Sequence, residues 1–434
     1  MKKLMRFIIL ISLAIFFRTS PVFGKGFLVY HHDASAAGGG LAFTAQANNP
    51  SAVFYNPAGI NQLKGTNISA GGTIIIPRTT FTSATTGEKT EMDHHTYFLP
   101  NFFVTHKIND KFSAGFGVFC PFGLSTDWPD DWEGRFISTF AEIRTLFLNP
   151  VISWQVHPKL SLAAGFNYVF SDVELKNAIN LSEKASELLD FPVELPGDPE
   201  GRSRLKACGH GQGFNLGLLS HITDDITLGI SYRSPIDIDY EGDAEFGIPS
   251  NVTLPPELGE GSLDPILAST FQNDGVSTEI DLPHILAIGL ATTAIKDWTF
   301  EFDLIWIGWS SFDKLNIKFK KGTPPDETIP ANWRDSYLYC LGTKYQVNES
   351  LALRGGYVYD DSPIPAETLG PMLPDADSHF LTLGVGYRKG HFNADLGYTA
   401  VFSEDRSTYR HYKGFNGEYE TFISLISLNL QYVF

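Results

Sequence analysis

An alternation of apolar with small or polar residues, period two, runs along this chain from one end to the other. Leu160, Leu162, Ala164, Phe166, Tyr168 and Phe170 interleave with Ser161, Ala163, Gly165 and Asn167. Ile226, Leu228, Ile230 and Tyr232 interleave with Thr227, Gly229, Ser231 and Arg233. Trp298, Phe300, Phe302, Leu304 and Trp306 do the same with Thr299, Glu301 and Asp303. Tyr337, Tyr339, Leu341, Tyr345 and Val347 face away from Leu338, Cys340, Gly342, Lys344 and Gln346. Side chains of a strand point alternately to opposite faces, so each segment has one greasy face and one small or polar face. The runs reach about ten residues, the length that crosses a bilayer at a tilt. Aromatic residues at their ends (Tyr168, Tyr232, Trp306, Tyr345, Tyr398) fit interfacial girdles.

The connections between runs give a strand number. Short polar turns lie near 107–111, 157–159, 223–225, 295–297, 348–350 and 388–391. Long Pro, Asp and Gly-rich segments lie near 77–95, 121–140, 177–204, 242–275, 310–334, 361–378 and 403–418. Short and long alternate without a break, which predicts an all-β fold: a 14-stranded antiparallel transmembrane β-barrel with both termini on the short-turn side. The last run, Ile426, Leu428, Leu430, Tyr432 and Phe434, ends the chain on an aromatic residue, the terminal pattern that outer-membrane assembly machinery reads. At the other end, Lys2, Lys3 and Arg6 precede the apolar stretch 7–17, and 22–24 offers a cleavage site. That is the pattern of a signal peptide, 1–24. The expected location is the outer membrane of a Gram-negative cell.

Composition narrows the function. A formal charge of −17 argues against nucleic acid and anionic lipid surfaces as partners. Forty Gly beside 34 Phe and 17 Tyr suits many strands packed closely. Three Cys are too few for a disulfide framework or a zinc knuckle. The chain has no G-x-S-x-G and no H-E-x-x-H, and His31-His32 and His94-His95 split to opposite faces on extended backbone. No enzyme, cofactor or metal is expected.

Residues 25–65 do not alternate. They are rich in Gly, Ala and Asn, yet carry Leu41, Phe43, Val53, Phe54, Tyr55, Ile60 and Leu63. A barrel of this width needs something in its lumen, so this segment is expected to be a plug, or hatch, with residues 66–434 as the barrel. The phase of the alternation turns Arg233, Glu301, Asp303, Lys344, Arg354 and Asp395 inward. Their expected role is to anchor the plug through mixed-sign pairs. Arg233 and Arg354 are also candidates for holding a substrate carboxylate.

With these features in view, the chain resembles the outer-membrane long-chain fatty acid transporter family, the FadL type that includes toluene and xylene relatives. The resemblance rests on Asn56-Pro57-Ala58 in the plug, Leu99-Pro100-Asn101, Ile108-Asn109-Asp110, Tyr232-Arg233-Ser234, Leu282-Pro283 and Trp309-Ser310-Ser311-Phe312. Its most specific piece is Tyr359-Asp360-Asp361-Ser362-Pro363-Ile364-Pro365, followed by Pro374-Asp375. It implies passive uptake of a hydrophobic small molecule, with no energy source and no covalent chemistry. The molecule lands in a groove between two external loops, passes to a pocket at the mature N-terminus, and leaves sideways where the third strand kinks.

Carried over residue by residue, the resemblance puts Phe27 in the pocket and the kink at Pro121, Phe122 and Gly123, where proline lacks an N–H. The groove falls on two loops, 177–204 with Leu188, Leu189 and Phe191, and 242–275 with Leu263, Ile266, Leu267 and Phe271. Ser182 is the expected cap of a short helix through Leu189. The family's basic pocket residues do not align cleanly, and Lys176 and Lys318 are the nearby candidates. Expected partners are a long-chain fatty acid or other hydrophobic small molecule, outer-membrane lipid and lipopolysaccharide, and the barrel-assembly machinery. The alternatives are an aromatic-hydrocarbon channel, or a porin or adhesin that does not carry hydrophobic molecules.

Overall fold

The computed structural model describes residues 26–259 and 261–434, and the expected signal peptide lies outside the described residues. Alternation becomes a closed antiparallel barrel of 14 strands. In chain order they are β1 (Thr66–Ser83), β2 (Tyr97–Lys107), β3 (Phe112–Phe119, resuming as Gly123–Asp127), β4 (Phe140–His157) and β5 (Leu160–Asn180). Next come β6 (Glu200–His221), β7 (Ile226–Arg233, resuming as Ile236–Gly247), β8 (Asp274–Leu282, resuming as Ile285–Thr292) and β9 (Trp298–Ile307, resuming as Lys314–Phe319). The circuit ends with β10 (Ser336–Gln346), β11 (Leu351–Asp360), β12 (Ser378–Lys389), β13 (Phe392–Ser403) and β14 (Gly417–Val433). Each strand pairs with the next, and β1 closes on β14 from Asn67 opposite Val433 to Ser83 opposite Gly417. Phe434 extends the seam, its amide donating to the Thr66 carbonyl at 2.8 Å. Closure pairs the first and last strands with each other, so neither is an edge open to another chain.

Several strands reach further outward than their apolar runs. β5 has 21 residues and β6 has 22, where about 9–11 cross the hydrocarbon core. The surplus lies in segments whose polarity reads as loop, such as 77–83 and 200–206. Backbone pairing continues there because it does not depend on side-chain polarity, and Arg204 and Lys176 both engage Glu174 along the extended wall, at 2.9 and 3.3 Å.

Four strands are broken. β7, β8 and β9 break at neighbouring positions, at Ser234-Pro235, Pro283-His284 and 308–313, since Ile285 is opposite both Arg233 and Ile307. β3 breaks at 120–122. Rather than ending there, as the sequence suggested, the strand resumes. Above the Phe102–Val118 pair, β2 keeps its register with β1 while Gly123–Asp127 pairs with β4. The wall between β2 and β3 is therefore unpaired at that level, and the Asp93 amide rejoins it higher up at the Asp127 carbonyl, 2.9 Å.

Residues 26–65 fill the lumen with two short helices, Ala34–Gly38 and Ala52–Tyr55, and a tighter turn, Pro57–Gln62. Asp33 caps the first helix, accepting from the Ser35 and Ala36 amides at 3.0 and 3.1 Å. Asn56 caps the turn, accepting from the Ala58 amide at 3.2 Å, with Pro57 at a position that needs no donor. The Asn56 amide group also donates to the carbonyls of Thr44 and Leu218, at 2.8 and 3.0 Å, joining the segment to β6.

The inner wall is glycine where this segment presses on it. A Cβ on Gly384 would stand 2.9 Å from the Gly38 Cα, and one on Gly397 would stand 2.6 Å from the Ala34 carbonyl oxygen. The inward acids hold the segment, but through backbone amides rather than the mixed-sign pairs expected. Asp303 accepts from the amides of Phe43 and Thr44, both at 2.9 Å, and Glu301 from those of Ala45 and Gln46, at 2.6 and 3.1 Å. An inward acid pair two residues apart on one strand was the signal for this cradle. Arg354 and Asp395 do form a mixed-sign pair, at 2.8 Å, but it joins β11 to β13 within the wall and not the segment to the wall.

Candidate functional site

The N-terminal residues meet the broken third strand in a short backbone pairing. The Gly123 amide donates to the Phe27 carbonyl at 2.8 Å, and the Val29 amide to the Pro121 carbonyl at 2.7 Å. The break frees these groups, and the chain from Phe27 to Val29 takes them up. Thr145 steadies the bulge from β4, accepting from the Phe122 amide at 3.1 Å and donating to its carbonyl at 2.6 Å.

Phe27 sits among four aromatic rings: Trp309 at 4.7 Å between centroids, Trp333 at 5.7 Å, and Phe122 and Phe312 each at 6.0 Å. Three come from the breaks in β3 and β9, so the irregular stretches of the wall build the box. Asp375 accepts from the Gly26 amide at 3.3 Å and from the Ser362 hydroxyl at 2.7 Å. The Ser362 hydroxyl in turn accepts from Arg406 at 2.6 Å. The Ser362-Pro363 and Pro374-Asp375 motif thus tethers the start of the described chain.

Phe27 also lines an apolar cavity of about 170 Å³. Its walls are Leu124 of β3, Ala141 and Ile143 of β4, Val173 and Leu175 of β5, Val276 and Ile280 of β8, and Leu315 and Ile317 of β9. Phe312 lines it from the break in β9, and Trp333, Ile364, Leu373, His411 and Tyr412 line it from the external loops. Beyond Leu28 to His31 a smaller cavity of about 50 Å³ shares Leu373 and is lined by Tyr30, Leu41, Phe380 and Ile423. Burial, with Lys413 beside it, lowers the His411 imidazole below its usual range.

The two long loops predicted as a groove pack on each other. Leu263, Leu267 and Phe271 are buried in their shared cluster with Leu181, Ala185 and Val193, and Leu189 packs against it. Leu188, Phe191 and Ile266 are exposed, at 47%, 42% and 43%. The helix Leu181–Leu189 is capped by Asn180, which accepts from the Glu183 amide at 3.1 Å, and not by Ser182. The Ser182 hydroxyl accepts instead from the Leu195 amide, at 3.1 Å, because the helix starts two residues earlier and turns Ser182 into the loop.

None of the four basic residues read as candidates for a carboxylate lines the apolar cavity at Phe27. Arg233 is buried in the lumen, with its guanidinium 5.4 Å from the ring centroids of Phe54 and Phe119 and bonded to Asn167 and the Phe54 carbonyl. Arg354 pairs with Asp395 beside the N-terminal segment. Lys176 lies 4.4 Å from the centre of the Phe140 ring and pairs with Glu174. Lys318 is exposed on the outer extension of β9, opposite Ser277. Phe27 and Phe122 are brought together; Asn56, Pro57 and Ala58 serve the N-terminal segment on β6. Sequence reading missed Trp333, Leu373 and His411, because loop residues carry no periodicity to mark them as facing inward.

A closed barrel with a filled lumen, an unpaired stretch of wall and an enclosed apolar cavity between them defines an outer-membrane transport barrel. Comparison with known proteins agrees. The chain belongs to the outer membrane protein transport family (OMPP1/FadL/TodX), whose model matches residues 15–434. It is 27% identical over 403 residues to a long-chain fatty acid transport protein of Escherichia coli, covering 89% of this chain and 87% of that one. Outer membrane protein P1 of Haemophilus influenzae is 23% identical, with 84% of each chain covered. Among solved structures, a Pseudomonas aeruginosa FadL homologue superposes with a TM-score of 0.81 at 21% identity, covering 95% of this chain and 99% of that one. The Ralstonia pickettii toluene transporter TbuX gives 0.69 at 18%, covering 93% and 100%. The protein resides in the Gram-negative outer membrane.

Proposed function

We propose that this protein admits hydrophobic small molecules passively through the outer membrane, with long-chain fatty acids as its principal substrates. Support comes chiefly from one observation: Phe27 floors the apolar cavity and is hydrogen-bonded through its carbonyl to Gly123 at the break in β3. Capture, pocket and unpaired wall are then one connected device. A molecule collected on the exposed apolar side chains of the external loops, Leu188, Phe191 and Ile266, moves into the cavity. It displaces the Phe27 segment and leaves between β2 and β3 into the bilayer. The driving force is burial of apolar surface, about 25 cal/mol per Å², which lowers the barrier that the lipopolysaccharide layer sets. Residues 1–24 act as signal peptide, residues 25–65 as hatch, and the terminal Phe434 strand engages the assembly machinery. No covalent step is required.

The long-chain fatty acid relatives favour this reading, and the structural likeness to TbuX supports aromatic hydrocarbons as the second. The test is uptake of labelled oleate and labelled toluene by cells whose own fatty-acid channel is deleted. The cells carry this protein or a version lacking residues 25–27. Oleate uptake that falls on trimming supports the fatty-acid reading, whereas toluene uptake alone selects the hydrocarbon reading. Neither, with the barrel assembled, leaves a porin or adhesin.

A further inference from the structure

The cavity at Phe27 is apolar but its wall is not featureless. The charged side chain in it, Glu142, is already engaged by Arg144 at 2.6 Å, and no Lys or Arg lines the cavity among the described residues. The Thr368 hydroxyl donates to the Ala331 carbonyl at 2.7 Å. Two buried polar atoms of the wall have no hydrogen-bond partner among the described residues: the Thr278 hydroxyl oxygen and Nε2 of His411.

His411 is 4% exposed. The Lys413 amide donates to its Nδ1 at 3.3 Å, so the ring proton resides on Nε2. That N–H lies near Gly370, which also lines the cavity: a Cβ added there would stand 3.5 Å from Nε2. A buried donor left unmatched keeps the full cost of having lost its water, and a carbonyl oxygen from a molecule in the cavity would satisfy it. A carboxylate fits the same place poorly. It would leave water with no cation lining the cavity to meet it, since Lys413 beside His411 is paired with Glu327 at 3.9 Å, and burying an unpaired charge costs far more than burying a hydrogen-bonded neutral group.

We propose that the cavity takes an acyl chain whose carbonyl end is uncharged, a protonated acid or an ester, with its carbonyl oxygen accepting the His411 Nε2 hydrogen. The proposal rests on the cavity being the substrate pocket. It narrows the substrate class there to molecules with one neutral hydrogen-bond-accepting end and a long apolar body.

The test titrates the purified protein, held in amphipol at a pH where palmitate is ionised, with radiolabelled methyl palmitate, palmitate and hexadecane. Methyl palmitate is expected to bind at least tenfold more tightly than palmitate. His411→Phe is expected to weaken methyl palmitate about tenfold and leave hexadecane within twofold, which also shows that the variant's cavity is intact. His411→Gln, which keeps a donor, is expected to recover part of the loss. Palmitate binding more tightly than its ester overturns the inference while leaving the pocket reading in place. So does a Thr278→Val variant that takes over the ester-specific loss from His411→Phe. Binding of none of the three compounds overturns the pocket reading, and this inference with it.

Discussion

The Gly123 amide donates to the Phe27 carbonyl at 2.8 Å, fastening the N-terminal residues to the one place where β3 leaves β2. A strand break would ordinarily strand backbone groups in an apolar wall, and here the N-terminal chain supplies the partners. Gating and sealing therefore share the same hydrogen bonds.

Phe27→Ala should loosen that fastening without unfolding the barrel. Truncating a buried Phe costs about 3–5 kcal/mol, and the aromatic box around Phe27 collapses only in part. Amide hydrogen exchange at Val29 and Gly123 is expected to quicken by about a hundredfold or more, with β10–β14 unchanged. Equal protection in the variant would show that the box does not hold the segment.

Removing the acid cradle should open the lumen. Asp303→Ala deprives the Phe43 and Thr44 amides of their acceptor, and each charge-assisted bond contributes about 1.5–3 kcal/mol. Single-channel recordings in planar bilayers are expected to show larger and noisier ion conductance than the unaltered protein. An unchanged trace would place the anchoring elsewhere.

Side chains added to the inner wall should have a comparable effect by sterics. Gly384 faces Gly38 backbone to backbone, so Gly384→Leu pushes the helix Ala34–Gly38 off β12. Proteolysis of residues 26–65 in the folded barrel is expected to become detectable, while Gly390→Leu, at an open turn, leaves it undetected apart from local strain.

Acid should weaken the seating of the N-terminal segment. Burial pushes His31 and His32 down to about 3, so both stay neutral in the seated segment but would protonate once released. A depressed imidazole contributes stability that is fully present above about pH 6.5 and is lost as the pH falls toward the seated value. At pH 5 the loss is about 2 kcal/mol for each histidine. Conductance or exchange of residues 26–65 is expected to rise between pH 7 and pH 4. The rise should vanish in a His31→Phe, His32→Phe double variant.

Period two determined the fold class, and the regular succession of short and long connections the strand number, because each strand's faces are set by its own residues and a barrel wall is one layer thick. The motifs Tyr232-Arg233-Ser234, Leu282-Pro283 and Trp309-Ser310-Ser311-Phe312 were visible as pieces of a family resemblance. Their meaning was not, since a proline looks the same at a strand end and at a break from which the strand resumes. Only closure of the barrel decided that the breaks in β7, β8 and β9 are neighbours and that Phe27 meets Phe122 and Trp309 across about 95 to 280 residues of chain. It also decided that Arg233, Arg354, Lys176 and Lys318 are apart, and that a loop histidine, His411, lines the cavity. Such contacts depend on where separate strands stand around the circumference, and local sequence carries no record of that.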